Sequence, residues 1–293
     1  MHHQPDTQRR FIFEHAPIRG EIVHLDASWR AVLERHHYPP VIRDVLGQFM
    51  AATALLASTL KFQGSLILQA QGDGPLKMVV VECSNEHAMR ALARWEGEVP
   101  EGELPDKFGL GRIVMTIIDN RPNTERYQAV APLEGANVAE ALQNYFRQSE
   151  QLDTHVWLAA DGQQAAGLLL QKLPDRPLED TDAWQRVTLL ANTVSAAELL
   201  NLPSEDILHR LFHEEDVRLF DAEPLFFRCS CTRERVANML RGLGYAEAKS
   251  VLIEKGNVDV TCEFCNQNYI FDSIDVEELF AASHQPPGSQ SRH

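Results

Sequence analysis

Several features that would each point to a familiar function are scarce in this sequence. Positive charge is one of them, because 27 Lys and Arg stand against 42 Asp and Glu, giving a formal net charge of -15. Nucleic-acid binding needs a basic surface that neutralises phosphates, so this balance argues against a large nucleic-acid footprint. A phosphate-binding Gly-x-x-x-x-Gly-Lys-Ser/Thr loop is also missing, in agreement with a function that does not use ATP.

Long hydrophobic runs are scarce as well. The segment Met1–Arg10 is polar and lacks the apolar core of a secretory signal. The most apolar stretch, Val45–Leu60, is interrupted by Gly, Gln, Thr and Ser and is followed by Lys61. A membrane-spanning helix needs about 20 apolar residues, so this stretch predicts a buried core helix. We therefore expect a cytoplasmic protein with no membrane segment, in a compartment where thiols stay reduced.

The order of the predicted elements indicates an α+β protein, and 293 residues suffice for about two domains. Residues 1–174 are predicted to form a sheet-rich α+β domain. Its helices are predicted after the cap residue Asp26, over Val41–Phe62, and from the cap residue Asn137 to Gln151. The predicted strands are Phe11–Phe13, Gly20–Leu25, Ser65–Ala70, Leu76–Cys83, Ile113–Asp119, Arg126–Ala131, His155–Ala160 and Ala166–Leu173.

The segment 175–228 is strongly acidic for its length, with 12 acids, 5 bases and a net charge of -7. It also contains apolar pairs at helical spacing, namely Leu189-Leu190, Leu199-Leu200 and Leu211-Phe212, so it is not a simple disordered tether. One interpretation is a metastable linker of amphipathic helices whose docking is opposed by self-repulsion. The other is an ordinary helical subdomain with a solvated acidic face. The residues alone leave both open.

A small third domain is predicted over residues 229–284, followed by a disordered tail at 285–293. A helix capped by Thr232, another over Ala246–Glu254 and a last one through about Ala282 are expected, with two short strands near Asn257–Thr261 and Tyr269–Phe271. About fifty ordered residues make a poor hydrophobic core, so a bound metal would help to hold them.

Cysteine is rare in the chain, and four of its five cysteines crowd into this last region. Cys229 and Cys231 form a Cys-x-Cys pair, and Cys262 and Cys265 form a Cys-x-x-Cys pair. Side chains at i and i+2 of an extended segment point to one face, and a tight turn brings a Cys-x-x-Cys pair together. Four thiolates are a ligand set that zinc prefers, in tetrahedral geometry. The sequence therefore predicts one Zn²⁺ ion bound by all four cysteines, whose excess negative charge the nearby bases Arg228, Arg233 and Arg235 could offset.

The cysteine pattern is compatible with a structural or a switchable site. A disulfide between Cys229 and Cys231 would close a very small strained ring, and strained disulfides are the easily reduced, regulatory kind. Loss of zinc should unfold the small region, and because Cys229 ends the acidic segment, it should loosen that segment too. Spacing alone nevertheless favours a purely structural zinc.

The sequence also speaks against two other functions and separates the fifth cysteine from the cluster. A zinc ribbon on nucleic acid is disfavoured because residues 229–293 carry 6 bases and 9 acids. A thiol-disulfide oxidoreductase or peroxidase would need an exposed, zinc-free thiol of low pKa. Cys83 follows the apolar run Met78–Val81 and is interpreted as a buried strand thiol without a part in the zinc site.

Several motifs in order resemble one known family. Cys-Ser-Cys-Thr-Arg-Glu-Arg from Cys229 and Cys-Glu-Phe-Cys from Cys262 look like its zinc domain. Gln-Gly-Asp-Gly-Pro-Leu from Gln71, Tyr-Phe-Arg-Gln-Ser-Glu-Gln from Tyr145 and Ala-Gly-Leu-Leu-Leu-Gln-Lys-Leu-Pro from Ala166 look like its N-terminal domain, and His-Glu-Glu-Asp from His213 like its linker. The family is that of the redox-regulated 33-kDa heat-shock chaperones, and the resemblance covers nearly the whole chain.

The resemblance implies an ATP-independent holdase rather than an enzyme. In such a protein the reduced cysteines hold zinc and keep the chaperone off. Oxidation would form the disulfides Cys229–Cys231 and Cys262–Cys265, release zinc, unfold the linker and open apolar surface for unfolding client proteins during oxidative stress. The oxidised form in the family is commonly a homodimer. This shifts the expectation for the zinc from a structural site to a redox switch.

Overall fold

The computed structural model describes residues 6–122, 124–174 and 180–281, and the chain divides into two units, residues 1–228 and 229–293. The strands of the first unit are β1 (Thr7–Phe13), β2 (Ile18–Leu25), β3 (Gly64–Gly72), β4 (Leu76–Ser84), β5 (Ala88–Trp95), β6 (Gly111–Asp119), β7 (Tyr127–Pro132), β8 (Thr154–Ala160), β9 (Ala165–Lys172), β10 (Val217–Leu219), β11 (Glu223–Pro224) and β12 (Phe226–Phe227). Its helices are α1 (Ala27–Leu33), α2 (Pro40–Thr59), α3 (Leu104–Phe108), α4 (Val138–Tyr145) with a π-helical turn at Phe146–Glu150, α5 (Ala183–Ala191), α6 (Ala196–Asn201) and α7 (Ser204–Phe212).

These strands form two six-stranded sheets. The first sheet has the order β10-β1-β2-β9-β8, with β11 also paired to β1, and the second has the order β12-β5-β4-β3-β6-β7. All pairs are antiparallel except the parallel pair of β12 with β5. The α+β class predicted from the sequence is confirmed.

Helix α2 forms the centre of the main hydrophobic core. It packs against β2, β8 and β9 of the first sheet and against β3, β4 and β5 of the second. By length and composition the helix could cross a membrane, but 67% of its apolar window is buried inside the unit. The buried core helix that the Leu- and Ala-rich run predicts is therefore confirmed.

The helices of the acidic segment pack on the other face of the first sheet. Alternation along β9 shows the two faces, because Leu168 and Leu170 contact these helices while Leu169 belongs to the core around α2. We call α5, α6 and α7 the linker helices. They contribute the buried residues Ala183, Val187, Ala191, Leu199, Leu200, Ile207, Leu208, Leu211 and Phe212 to this second core.

The chain then runs across the edges of both sheets before it enters the second unit. Residues Val217–Arg228, which we call the strap, provide β10 and β11 to the edge of β1 and β12 to the edge of β5. The acidic segment is thus part of the first unit by its contacts. That this segment is a separate, metastable domain stays a prediction.

The second unit contains three helices and a hairpin among its described residues. These are α8 (Arg233–Leu243), α9 (Tyr245–Lys255), β13 (Val258–Thr261), β14 (Asn268–Phe271) and α10 (Ser273–Ala281). Val258, Phe271 and Val276 are nearly inaccessible in a small core. The predicted tail at 285–293, the end of the last predicted helix and the first residues of the acidic segment, 175–179, lie outside the described residues.

Several local details differ from the predictions. Strand β5 was not predicted at all. The helix predicted from Asn137 to Gln151 has nearly the predicted extent, but its last turn, Phe146–Glu150, is π-helical, and Gln151 lies in the left-handed region at φ 54°. A helix does follow Asp26, but the Asp26 side chain makes no cap hydrogen bond.

Candidate metal centre

The four cysteines predicted as zinc ligands come together in the second unit. Their sulfur atoms all lie within 4.8 Å of one another. The Sγ atoms of Cys229 and Cys262 are 3.7 Å apart, and those of Cys231 and Cys265 are 3.3 Å apart. Each of these contacts joins one residue of the Cys-x-Cys pair to one of the Cys-x-x-Cys pair, so the cluster links two segments about thirty residues apart.

Local structure positions each pair. The first pair directly precedes α8, whose first turn is fixed by the Thr232 hydroxyl, which accepts a hydrogen bond from the Arg235 N–H at 3.1 Å. The second pair lies in the turn that connects β13 to β14. There the Cys262 N–H donates to the Gln267 carbonyl at 2.9 Å, and the Asn266 N–H donates to the Cys262 carbonyl at 2.8 Å. Both sequence-predicted motifs therefore sit at the ends of regular elements.

The sulfur positions fit a tetrahedral thiolate site. Zn–S bonds of about 2.3 Å in tetrahedral geometry place the sulfurs about 3.8 Å apart. The contacts of 3.7 and 3.3 Å are near that value. Backbone N–H groups also point at the sulfurs, from Phe264 and Cys265 toward Cys262, and from Gln267 toward Cys265. Such donors stabilise thiolates, so the residues present suit a thiophilic cation such as zinc.

Electrostatics show why a cation belongs at this cluster. Burial raises the pKa of the Cys262 and Cys265 thiols above the usual value, and the contact of each with its neighbouring sulfur raises it further. Four thiolates within 4.8 Å of one another repel strongly. A divalent cation removes this penalty, and its binding expels the thiol protons.

Tyr269 is a further group at the cluster that the chemistry of the motifs did not reveal. Its hydroxyl donates a hydrogen bond to the Cys231 sulfur at 3.2 Å. The residue lies on β14 and follows Cys265 by four positions, and from the sequence it was placed only in a short predicted strand. Hydrogen bonds from outside the ligand set orient the ligands and tune the bound metal.

The three arginines expected to offset the cluster's charge have different partners. Arg235 donates to the Ser230 carbonyl, between the first two cysteines, at 2.8 Å. Arg233 pairs with Asp275 at 2.7 Å and donates to the Ile270 carbonyl. Arg228 belongs to the first unit and pairs with Glu86 at 2.5 Å. Arg235 is thus the base held most directly to the cysteine loop.

Cys83 has the character predicted for a buried strand thiol. It lies on β4 in the core of the first unit with 0% of its surface exposed. Burial raises the pKa of its thiol to about 12, with a smaller contribution from Glu82. A thiol that stays protonated and inaccessible is a poor nucleophile. Cys83 therefore stands apart from the four-cysteine cluster in both position and reactivity.

Comparisons with known proteins cover almost all of the chain. A family model described as Hsp33 protein matches residues 6–272, which include all four clustered cysteines. The 33 kDa chaperonin of Nitrosococcus oceani is 52% identical over 288 residues, 98% of this chain and 99% of the relative. The 33 kDa chaperonin of Methylobacillus flagellatus is 48% identical over 290 residues, again 98% of this chain and 99% of the relative.

A solved structure has the same fold. The crystal structure of the 33 kDa chaperonin from Thermotoga maritima matches with a TM-score of 0.80, covering 95% of this chain and 99% of that one, at 22% sequence identity. At that identity the likeness concerns the fold. With the family match and the closely similar relatives over the full length, this chain, with its cluster of four cysteines, belongs to the Hsp33 family of chaperonins.

Proposed function

We propose that the protein is a redox-regulated, ATP-independent holdase. In the reduced state Cys229, Cys231, Cys262 and Cys265 hold one Zn²⁺ ion and the chaperone is inactive. Oxidation of these cysteines to two disulfides releases the ion, unfolds the second unit and releases the acidic segment. The uncovered surface then binds unfolding proteins and prevents their aggregation during oxidative stress. The protein acts by binding, without catalytic turnover, in the cytoplasm, and its oxidised form is a homodimer.

The packing of the linker helices on the first sheet is the observation that carries this proposal. The linker helices bury a continuous apolar face that includes Phe11, Ile22 and Leu168, each 0% exposed. Burial of apolar surface contributes about 25 cal/mol per Å², so burial of this face stabilises the closed form. Its exposure creates a large apolar surface that can bind other proteins. A fold that covers an apolar sheet face with a detachable acidic segment suits a chaperone that must be switched.

The negative charge of the acidic segment, residues 175–228, opposes its docking on the first sheet. Two bases of the acidic segment are neutralised within it, since Arg186 pairs with Asp180 at 2.8 Å and Glu215 at 2.6 Å, and Arg210 pairs with Glu198 at 2.7 Å. Exposed ion pairs of this kind contribute at most about 1 kcal/mol each. The net charge of -7 therefore opposes docking, and after release it would keep an otherwise sticky protein soluble.

Chain continuity connects the cysteines to this cover. The strap ends at Arg228, whose N–H donates to the Met89 carbonyl at 3.0 Å, and the next residue is Cys229. Metal binding supplies about 10–16 kcal/mol of folding free energy in small zinc domains. When that energy is lost, the chain after the strap becomes disordered. The strap then loses its anchor at Arg228 and detaches from its C-terminal end.

The redox step is confined to the cysteines. Each pair of thiolates transfers two electrons to one molecule of hypochlorous acid, HOCl. One S–S bond forms between the two sulfurs, and HOCl is converted to chloride and hydroxide. Two equivalents therefore convert all four thiolates, and sulfurs in disulfides no longer bind zinc well. For the pairing we propose Cys229–Cys231 and Cys262–Cys265, from the family resemblance. The closest sulfur contacts join the two segments instead, so peptide mapping of the oxidised protein must distinguish the two patterns.

One oxidation time course tests the proposal. Zinc release, protease sensitivity of residues 180–228 and suppression of client aggregation should rise together after hypochlorite is added, and reductant with zinc should reverse them. The Cys262→Ser/Cys265→Ser variant should lose redox control, whereas Cys83→Ala should behave like the parent. Full activity of the reduced, zinc-loaded parent would refute the switch. Repeated turnover of peroxide with a thiol reductant would show a thiol enzyme instead.

A further inference from the structure

We propose that the edges of β1 and β5 are client-binding sites, to which an extended segment of an unfolded protein adds as a β-strand. In the closed form the strap, Val217–Arg228, occupies both edges as an intramolecular substitute for that segment. This inference rests on the proposed switch, because the edges become available only when the strap leaves. It names the surface and the mode of binding that the switch would uncover.

The strap is held to both edges by backbone hydrogen bonds. At β1, the Phe220 N–H donates to the Arg10 carbonyl at 2.9 Å, and Leu219 pairs in register with Phe11. At β5, the Phe226 N–H donates to the His87 carbonyl at 3.2 Å. These bonds use groups that every non-proline residue carries, so an edge that accepts the strap can accept segments of many sequences.

Side chains of the strap fill apolar positions beside the edges. Leu225 is 3% exposed and belongs to the core around α2. Phe227 packs against the same core, and the Arg35 guanidinium lies 4.1 Å from the centre of its ring. Val217 and Leu219 pack against the second core under the linker helices. The preferred partner is therefore an extended segment with apolar or aromatic residues spaced along it, which is what an unfolding protein exposes.

The edges of β1 and β5 differ from the outer edges of β7 and β8. Within the described residues, β7 and β8 end their sheets without a paired strap strand, so their edges do not change when the strap leaves. The edges of β1 and β5 are paired when the strap is docked and unpaired when it is not. Unpaired edges are templates for strand addition. Among the sheet edges of the described residues, these two can therefore make strand addition depend on the switch.

Unfolded clients suit these edges better than a second copy of this chain. A folded copy has its own strap engaged, whereas an unfolded client has free backbone donors and acceptors along its length. A second copy whose strap is released could compete for the edges, and this exchange is an outcome that the experiment must detect.

A synthetic strap peptide tests the proposal on the full-length protein. A fluorescent peptide with the sequence of residues 217–228 should bind the oxidised protein and displace a bound unfolded client. The control peptide has the same side chains but carries N-methyl groups at Phe220, Leu225, Phe226 and Arg228, whose N–H groups donate to the edges or to Asp6 beside β1. Loss of four hydrogen bonds should weaken its binding at least tenfold. Equal affinity of the two peptides would overturn strand addition.

The reduced protein supplies the matched comparison. The Leu225→Ala variant should bind the peptide while reduced and zinc-loaded, because its strap is weakened, whereas Phe220→Ala, which truncates a partly exposed ring, should bind it far less. If the peptide displaces a second copy of the chain but not the client, the edges belong to a dimer interface and client binding there is refuted. Aggregation suppression is measured in the same samples. An oxidised protein that suppresses aggregation without binding the peptide refutes this inference alone, and one that does neither refutes the switch.

Discussion

The Nε2 atom of His24, on β2, lies 2.9 Å from the carbonyl oxygen of Leu199 in the linker helix α6. A carbonyl only accepts hydrogen bonds, so Nε2 carries the proton. Nδ1 is then free to accept from the Ser204 hydroxyl at 3.4 Å. Burial lowers the pKa of this imidazole, so it is neutral near pH 7, and it joins the first sheet to two linker helices. Sequence analysis did not single out this lone strand histidine.

The His24 contact predicts that acid weakens linker docking. Burial lowers the pKa of His24 to about 4, although the Leu199 carbonyl and the charge of Glu205 oppose this shift. The exposed imidazole of a released linker would titrate near the ordinary 6.5. Between these values the released state binds more protons than the docked state, so docking free energy falls as pH drops, by roughly 3 kcal/mol in all. Protease sensitivity of residues 180–216 in the reduced protein should rise from pH 6.5 toward 4.

Two variants separate this effect from general acid instability. His24→Gln keeps a hydrogen-bonding side chain without the titration, and it should flatten the pH profile of linker proteolysis. The effect of pH through Glu21 is opposite to that through His24. Burial raises the pKa of the Glu21 carboxyl to about 7, so its protonation stabilises the folded unit as pH falls. It contacts Ser58 of α2 on the other side of the sheet, so Glu21→Gln should alter global unfolding but not linker release. An unchanged profile in His24→Gln would show that another group senses pH.

Truncation of Phe212 should open the chaperone without oxidation. Its ring packs 5.1 Å from that of Phe13 and 6.2 Å from that of Phe11, and it is 2% exposed. Phe212→Ala should cost about 3–5 kcal/mol of packing, and the two ring contacts that it removes join a linker helix to the first sheet. The reduced variant should retain zinc yet bind unfolded clients. Leu189→Ala, at a position 60% exposed on α5, is the matched control and should stay inactive. A zinc-loaded Phe212→Ala protein with a released linker but no client binding would show that the sheet face is not the client surface.

The sequence was most informative where local signals are strong. The cysteine pairs, the caps Asn137 and Thr232 and the core helix α2 all follow from spacing and side-chain chemistry over a few residues. Strand β5 did not, because its sequence Ala-Met-Arg-Ala-Leu-Ala-Arg-Trp is rich in helix formers. It is a strand because β4 pairs with it over most of its length, and that long-range pairing outweighs local propensity.

The apolar pairs of the acidic segment illustrate the same limit. Leu199-Leu200 and Leu211-Phe212 marked an amphipathic segment correctly, and both pairs are buried. Their target, a sheet face built from β1, β2 and β9, brings together residues more than 150 positions apart in the chain. Periodicity shows that a helix has an apolar face but not which surface receives it.

Oxidation should leave Cys83 untouched. Burial and the raised pKa keep its thiol protonated and inaccessible, so only the four clustered cysteines should react. Mass spectrometry of protein treated with two equivalents of hypochlorite should show the loss of four hydrogen atoms. Alkylation should then label Cys83 only after denaturation. Labelling of Cys83 in the native oxidised protein would show that the core of the first unit opens during activation.

Removal of the Tyr269 hydroxyl should loosen the metal centre without removing a ligand. Tyr269→Phe deletes the 3.2 Å hydrogen bond to the Cys231 sulfur but keeps the ring. A thiolate that loses a donor is less well held and more nucleophilic, so zinc affinity should fall about tenfold and oxidation should quicken. Tyr245→Phe is the matched control, because its hydroxyl donates to Glu277 at 2.6 Å in the same unit. Competition with a chromophoric chelator measures the affinities. If both variants bind zinc as the parent does, the hydrogen bond does not tune the site.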